Sequence, residues 1–183
     1  MASIATKEQL SSIDVKELTA RYTYGTWRKQ KGWSPLHIVE ANGCYFVDSD
    51  GKKYLDFSGQ LMCLPLGHQN PAVIQAIVEQ AHELAYISPG YATTVRASLS
   101  KLLLEVLPKG LEKFFFTTSG TDANEAAFKI ARMATGKSKI ISRYRSYHGS
   151  TAGSIAATGD PRRWAMEPAG KMPGVIFAPE VNC

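Results

Sequence analysis

Residues 113–125 constrain the fold of this chain more than any other segment. Their sequence, KFFFTTSGTDANE, begins with an apolar run, Lys113–Thr117, that has the character of a strand. Small and hydroxyl-bearing residues follow, and from Asp122 the pattern predicts a helix to about Thr135. Glu125, three residues after Asp122, predicts a start that resembles a capping box. A strand that leads directly into a helix is typical of an α/β fold.

The junction between this strand and this helix is a candidate anion pocket. At a helix N-terminus, unpaired backbone N–H groups and the positive end of the helix dipole both favour a bound anion. Gly120 would let the backbone approach a ligand closely, and Ser119 and Thr121 could donate their hydroxyls. A well-capped helix without a ligand would have the same residues, so this segment alone leaves both interpretations open.

The remaining chain predicts a small antiparallel meander followed by alternating helices and strands. A first helix is predicted over 13–24, and turns at Asn42-Gly43 and Asp50-Gly51 separate three extended stretches. These stretches are Leu36–Glu40, Cys44–Asp48 and Tyr54–Phe57. Later elements are a helix that begins at Asn70-Pro71, a helix over Thr94–Leu107, and strands over Lys139–Ser142 and Gly174–Ala178. This alternation favours a largely parallel sheet, and its small number of strands indicates an incomplete layer.

Two helices of this region have apolar faces that we expect to be buried. On the helix over Thr94–Leu107 the inward residues are Val95, Leu99, Leu102, Leu103 and Val106. On the helix after Asp122 the stripe consists of Ala123, Ala126, Ala127, Ile130, Ala131 and Ala134.

Composition excludes several classes of protein. The 183 residues are 44% hydrophobic and 20% charged, and no apolar run approaches the roughly 20 residues of a membrane span. The N-terminal residues lack the basic and apolar regions that predict a secretory signal, and the three widely spaced cysteines fit neither a disulfide framework nor a zinc site. The net charge of +5 is spread along the chain without a nucleic-acid recognition motif. We therefore expect a cytoplasmic protein with reduced thiols, no metal site, and neither a nucleic acid nor a membrane as partner.

Two short motifs resemble known catalytic signatures but lack their context. ARMATGKS (131–138) is close to a nucleotide phosphate loop, yet its Gly-Lys-Ser follows a helix rather than opening one. GSTAG (149–153) resembles a nucleophile elbow with Thr151 at the nucleophile position, but no acid and histidine follow as partners. Neither a nucleotide hydrolase nor a serine-type hydrolase is indicated.

Three longer blocks, in order, resemble the class III aminotransferases, which are pyridoxal-phosphate enzymes of fold type I. The first is ANGCYFVDSDGKKYLDFSGQLMCLPLGHQNPAVIQAIVEQ (41–80), similar to the family's opening hairpins and Gly-His segment. The second is TTSGTDANEAAFKIAR (117–132), which resembles the cofactor-phosphate loop. The third is SRYRSYHGSTAGSIAATGDPRRW (142–164), similar to the aromatic-His-Gly segment. The resemblance covers nearly all of the chain from about residue 30.

The resemblance implies pyridoxal 5′-phosphate as cofactor and assigns residues to it. The cofactor phosphate would lie on Ser119, Gly120 and Thr121, and Tyr147 would stack on the pyridine ring with His148 and Gly149 beside it. The alternatives are a core or interface tyrosine, a histidine merely hydrogen-bonded nearby, and a turn glycine. Leu61 and Met62 fall in a segment that lines the substrate side in relatives, although ordinary core packing suits both. Four arginines could meet a carboxylate but are more typical of surface charges: Arg143, Arg145, Arg162 and Arg163.

The resemblance further implies the N-terminal part of a fold type I enzyme. Residues 1–57 would belong to the small domain, and residues 58–183 to the first part of the cofactor-binding large domain. The family's cofactor-linked lysine and the acidic partner of the pyridine nitrogen come later, and Lys171 stands in an unrelated Gly/Pro-rich context. We therefore assign no catalytic residue and expect an N-terminal fragment that is inactive alone.

The implied parent is a homodimer that moves an amino group from an amine or ω-amino acid to a 2-oxo acid such as pyruvate. Open alternatives are an aminomutase or decarboxylase on the same scaffold, or a non-catalytic binding or assembly module.

Overall fold

The computed structural model describes residues 10–167 and 172–179. The chain divides into two compact units, with the boundary between Tyr91 and Ala92. The expected domain boundary at residues 57/58 concerns the complete enzyme and stays a prediction.

The first unit starts with a helix and a three-stranded antiparallel meander. Helix α1 (Ser12–Tyr22) begins with a capping box between Ser11 and Asp14. Strands β1 (Ile38–Asn42), β2 (Tyr45–Asp48) and β3 (Lys53–Leu55) pair in chain order. The two turns hold Gly43 at φ 53° and Gly51 at φ 80°, in the left-handed region that glycine adopts without a steric cost. The predicted meander and its two glycine turns are confirmed.

A left-handed turn follows the meander. In the short element α2 (Gly59–Met62), Gln60, Leu61 and Met62 have φ values of 49°, 59° and 64°. Consecutive left-handed residues with side chains are unusual, because each costs about 1–2 kcal/mol. The Asp56 carboxylate holds the turn by accepting hydrogen bonds from the Gln60 backbone N–H at 3.2 Å and side-chain Nε2 at 3.1 Å. It also lies 2.8 Å from His68 Nε2.

The first unit ends with α3 (Pro71–Leu84), which begins as the sequence predicts. Asn70 Oδ1 accepts hydrogen bonds from the backbone N–H groups of Ala72 and Val73 at 3.1 and 3.3 Å. Pro71 stands at the first helical position, where it needs no N–H partner.

The second unit combines helices with a parallel strand pair. Its helices are α4 (Thr94–Val106), α5 (Gly120–Thr135), α6 (Ala152–Ala157) and α7 (Pro161–Met166). Strand β4 (Ile140–Arg143) pairs in parallel with β5 (Val175–Ala178), from Ile140 opposite Val175 to Arg143 opposite Ala178. The parallel pairing confirms the α/β character that the alternation predicts.

The buried centre of the second unit is α6. Ser154, Ile155, Ala156 and Ala157 of this helix are buried, and so is Thr158 just after it. The buried Ser142 on β4 donates its hydroxyl to the Ala157 carbonyl at 2.5 Å, which fastens α6 to the strand. The candidate functional site is built around this helix.

Two predictions about this region are wrong. Residues 113–117 form no strand, because a strand needs a hydrogen-bonded neighbour and none lies beside them in the described part of the chain. The predicted inward faces of α4 and α5 are exposed, except at Leu103 and Ala126. The apolar pattern marks faces that need a covering layer, and the described residues do not supply one.

Within residues 10–167 and 172–179, no helix combines the length and the hydropathy that crossing a membrane requires.

Candidate functional site

Ser119 forms the cap at the start of α5. Its backbone is extended (φ −161°, ψ 164°), and its hydroxyl oxygen accepts a hydrogen bond from the Asp122 N–H at 3.3 Å. The helix therefore begins at Gly120, two residues before the predicted start at Asp122. The predicted capping box between Asp122 and Glu125 is wrong, because Ser119 already satisfies the third helical amide and Glu125 binds another segment.

The Glu125 carboxylate binds the segment that leads into α6. One oxygen, Oε1, accepts hydrogen bonds from Thr151 Oγ1 at 2.5 Å, Gly153 N at 2.8 Å and Ser154 N at 2.9 Å. Burial alone would raise the pKa of Glu125, but these hydrogen bonds, with the charge of Lys129, outweigh it and lower the pKa below its ordinary value. Glu125 is thus held as a carboxylate that joins α5 to α6.

Thr121 makes a second connection between the same two helices. Its hydroxyl lies 2.8 Å from the Thr151 hydroxyl and accepts from the Thr151 N–H at 3.4 Å. Its carbonyl accepts the Ser154 hydroxyl at 3.1 Å. The first turn of α5 is therefore fixed against the start of α6 by both side-chain and backbone groups.

Two glycines make this close approach possible. Gly149 is buried and has φ 133°, and the Thr121 side chain occupies the space that a Cβ at Gly149 would need. The Glu125 carboxylate does the same at Gly153. At Gly120, by contrast, no atom beyond its chain neighbours and the adjacent backbone of its own helix lies within 4 Å of the position of a Cβ, so the surroundings are open.

His148 is held mainly through its backbone. Its N–H donates to Thr158 Oγ1 at 3.1 Å, and its carbonyl accepts from Asn124 Nδ2 at 2.6 Å. The half-buried residue also lines a cavity of about 220 Å³ together with Ser142 and Ser146. Asn124 thus connects α5 to the predicted aromatic-His-Gly segment.

Tyr147 is 45% exposed and lies beside an arginine. The guanidinium carbon of Arg162 is 4.5 Å from the ring centroid, within the range of a cation–π contact. Arg162 Nη1 also lies 3.0 Å from Asp160 Oδ2. Arg163, next along the chain, is buried instead and pairs with Glu167. A flat ligand that stacks on Tyr147 must use the ring face opposite Arg162 or displace that side chain.

The structure brings together six of the predicted site residues. Ser119, Gly120 and Thr121 start α5, and Gly149 contacts Thr121 directly. His148 and Tyr147 precede Gly149, with His148 joined to α5 through Asn124. The predicted substrate-side residues, Leu61 and Met62, belong to the first unit and are 78% and 83% exposed. Their role stays a prediction, and Lys171 lies outside the described residues.

Sequence reasoning missed the residues that connect these segments: Asn124, Glu125, Thr151, Gly153 and Ser154. The available signal is a polar Asn-Glu pair between small residues of α5, which by itself predicts only part of a helix start. GSTAG drew attention to Thr151, but its partners are distant in sequence and no local pattern identifies them.

Comparison with known proteins places this arrangement in a family. The sequence profile of the class-III aminotransferases matches residues 27–182. The chain belongs to this family. An acetylornithine aminotransferase from Mycolicibacterium smegmatis is 42% identical over 147 residues, which are 80% of this chain and 36% of that protein.

Solved structures agree with this membership. A taurine:2-oxoglutarate aminotransferase from Bifidobacterium kashiwanohense, in complex with PLP and glutamate, is 43% identical with a TM-score of 0.88, over 94% of this chain and 39% of that one. An (S)-enantioselective ω-transaminase from Thermomicrobium roseum is 29% identical with a TM-score of 0.87, over 93% of this chain and 40% of that one. The expected fold type I architecture and the expected cofactor, pyridoxal phosphate, are confirmed. The chain spans about two fifths of the length of these relatives.

The residues present fit the phosphate end of this cofactor. The first turn of α5 combines an exposed Ser119, an open Gly120 and a threonine hydroxyl at a helix N-terminus, where an anion is favoured. The nearby carboxylate, Glu125, is engaged by three donors from the α6 segment.

Proposed function

We propose that this chain forms the cofactor-phosphate part of a pyridoxal-phosphate-dependent aminotransferase. Ser119, Gly120 and Thr121 would hold the phosphate through amides and hydroxyls, whose bonds to a dianion are charge-assisted. Tyr147 would stack on the ring, with His148 and Gly149 beside it. The observation that carries this proposal is the direct connection of the two segments through Thr121, which contacts both Gly149 and Thr151.

The proposed reaction of the complete protein moves an amino group from an amine or ω-amino acid to a 2-oxo acid such as pyruvate. When bound, pyridoxal phosphate supplies the electron sink for chemistry at the carbon that carries the amine. The residues of this chain bind and orient that group: α5 fixes the phosphate, and the 147–149 segment limits movement of the ring. No residue of this chain is assigned to proton transfer.

The donor class is proposed from two of the similar proteins, the taurine aminotransferase and the acetylornithine aminotransferase. The taurine aminotransferase supports a donor whose amine lies on a terminal carbon, next to the carbon that carries the acid group, and 2-oxoglutarate stands beside pyruvate as an acceptor. The acetylornithine aminotransferase favours a longer ω-amino acid. Leu61 and Met62 would line the substrate side in either case. An aminomutase or a decarboxylase remains the alternative chemistry.

The complete protein is further proposed to be a homodimer, as the resemblance to its family implies, and to be cytoplasmic, as its cysteine usage indicates. A non-catalytic assembly module is the competing class. That class is favoured if the gene encodes no cofactor-linked lysine after Cys183.

A ligand that needs no covalent bond to a lysine can test the cofactor site. Pyridoxamine 5′-phosphate has an amine in place of the aldehyde, so it can bind without a lysine. We expect the 183-residue chain to bind it at least tenfold more tightly than pyridoxamine, measured by calorimetry, because pyridoxamine lacks the phosphate. Equal affinity for the two ligands would remove the basis for a phosphate cradle. Assays of the complete gene product with taurine, N-acetylornithine and β-alanine, each with pyruvate and 2-oxoglutarate, then identify the donor and the acceptor.

A further inference from the structure

Glu125 connects three donors that belong to a different part of the chain. Its Oε1 atom accepts hydrogen bonds from Thr151 Oγ1, Gly153 N and Ser154 N, between 2.5 and 2.9 Å. Gly153 and Ser154 supply the second and third amides of α6, which the N-terminal residue of a helix ordinarily caps itself. Here Thr151, the residue at that position, makes no cap bond of its own and directs its hydroxyl to Thr121 and Glu125.

The absence of a side chain at Gly153 indicates how close this contact is. A Cβ there would overlap the Glu125 carboxylate, so the approach of α5 to α6 depends on the glycine. In the same way, the approach of the Thr121 side chain depends on the absence of a Cβ at Gly149. The Thr121 side chain thus packs against Gly149, and the Glu125 side chain packs against Gly153. Thr121 and Glu125 are separated by about one turn of α5.

This arrangement matters for a ligand that bridges two segments. The proposed phosphate residues lie in the first turn of α5, and the proposed ring residues lie just before Thr151. A rigid ligand with a phosphate at one end and a ring at the other reaches both only when their separation is correct. Prior fixing of that separation lowers the ordering cost of binding.

We propose that Glu125 is a positioning residue that sets the separation between the phosphate cradle at Ser119–Thr121 and the ring-binding segment at Tyr147–Gly149. It acts by holding Thr151 and the start of α6 against α5, and it does not contact the cofactor. This inference rests on the proposed function. A purely structural Glu125 would stabilise α6 without affecting one ligand more than another.

Three ligands separate positioning from simple stabilisation. Pyridoxamine 5′-phosphate engages both segments, inorganic phosphate engages only the cradle, and pyridoxamine engages only the ring segment. Calorimetry on the 183-residue chain would measure all three with wild type, Glu125→Ala, Glu125→Gln and the control Glu105→Ala, which removes an exposed carboxylate from α4. Hydrogen exchange at the Gly153 and Ser154 amides would report the contact itself.

We expect Glu125→Ala to lower the affinity for pyridoxamine 5′-phosphate at least tenfold and to change the affinity for inorganic phosphate less than twofold. Hydrogen exchange at both amides should become at least tenfold faster. Glu125→Gln keeps an oxygen acceptor and should lie between Glu125→Ala and wild type. It also serves as the test variant if Glu125→Ala does not fold. Glu105→Ala should match wild type.

If Glu125→Ala lost as much affinity for inorganic phosphate as for pyridoxamine 5′-phosphate, the positioning role would be overturned and the proposed cofactor site would remain intact. Unchanged binding of all ligands by a folded Glu125→Ala would do the same. Failure of the wild-type chain to prefer pyridoxamine 5′-phosphate over pyridoxamine would overturn the proposed function, and this inference with it.

Discussion

The Thr121 side chain occupies the space beside Gly149 where any other residue would place its Cβ. The contact joins the first turn of α5 to the segment before α6, and the left-handed φ of 133° at Gly149 disfavours side chains independently. These two segments are the ones to which the family resemblance assigns the cofactor.

Replacing Gly149 with alanine should destabilise the second unit. The added Cβ meets the Thr121 side chain and forces a residue with a side chain into a strained φ, which together should cost about 2–4 kcal/mol of unfolding free energy. Urea denaturation measures this loss. Gly90→Ala is the matched control, because Gly90 has only Ser88 Oγ, at 3.9 Å, near its Cβ position, and should change the free energy by less than about 1 kcal/mol. A Gly149→Ala chain as stable as wild type would contradict the close packing of Thr121 against Gly149.

Glu125 should make the stability of the chain depend on acid pH. Its pKa in the folded state is lowered, so the unfolded state takes up the proton first as the pH falls. The stabilisation is therefore complete above the ordinary glutamate pKa of about 4.3 and is lost as the pH falls below it, through the folded pKa.

Urea unfolding of wild type and Glu125→Gln between pH 6 and pH 3 tests this dependence. The advantage of wild type over Glu125→Gln should shrink across that interval. Taking the difference between the two proteins removes the contributions of Asp48 and Asp56, whose pKa values are also lowered. A difference that does not vary with pH would show that Glu125 gains no net stabilisation from its charge.

The chain should be more stable with glycine at position 61 than with alanine there. The φ of 59° at Leu61 is left-handed and its side chain is 78% exposed, so truncation removes little packing. Glycine adopts this conformation without the steric cost. The unfolding free energy of Leu61→Gly should therefore be about 1 kcal/mol higher than that of Leu61→Ala. Equal stability of the two variants would mean that the turn is not left-handed in solution.

Arg162 should restrict access to the Tyr147 ring. A cation–π contact contributes about 0.5–1 kcal/mol at an exposed site, so Arg162→Ala should speed nitration of Tyr147 about two- to fivefold. Mass spectrometry of tetranitromethane-treated protein gives the rate, with Tyr144, which is also 45% exposed, as the internal reference. Arg162→Lys keeps the charge and should stay closer to wild type. An unchanged rate in Arg162→Ala would exclude a protective contact.

Rules for helix caps and turns predicted most of the helices and strands from short stretches of sequence. Asn70 and Pro71 start α3, and glycines at 43 and 51 form the hairpin turns, since capping and φ preference act within a few residues. The same rules failed at residues 113–117, where apolar character predicts a strand but pairing needs a neighbour. They also failed at Glu125, whose partners are 26 to 29 residues away.

The sequence by itself determined the family, and it predicted a helix start near Ser119–Thr121 and a cofactor-binding role for Tyr147, His148 and Gly149. These follow from residue types in a fixed order along the chain. Only the tertiary structure decided how the two segments meet. Thr121 against Gly149 and Glu125 against Gly153 are contacts between distant residues, and their fit depends on the close packing of α5 against α6, which no local pattern encodes.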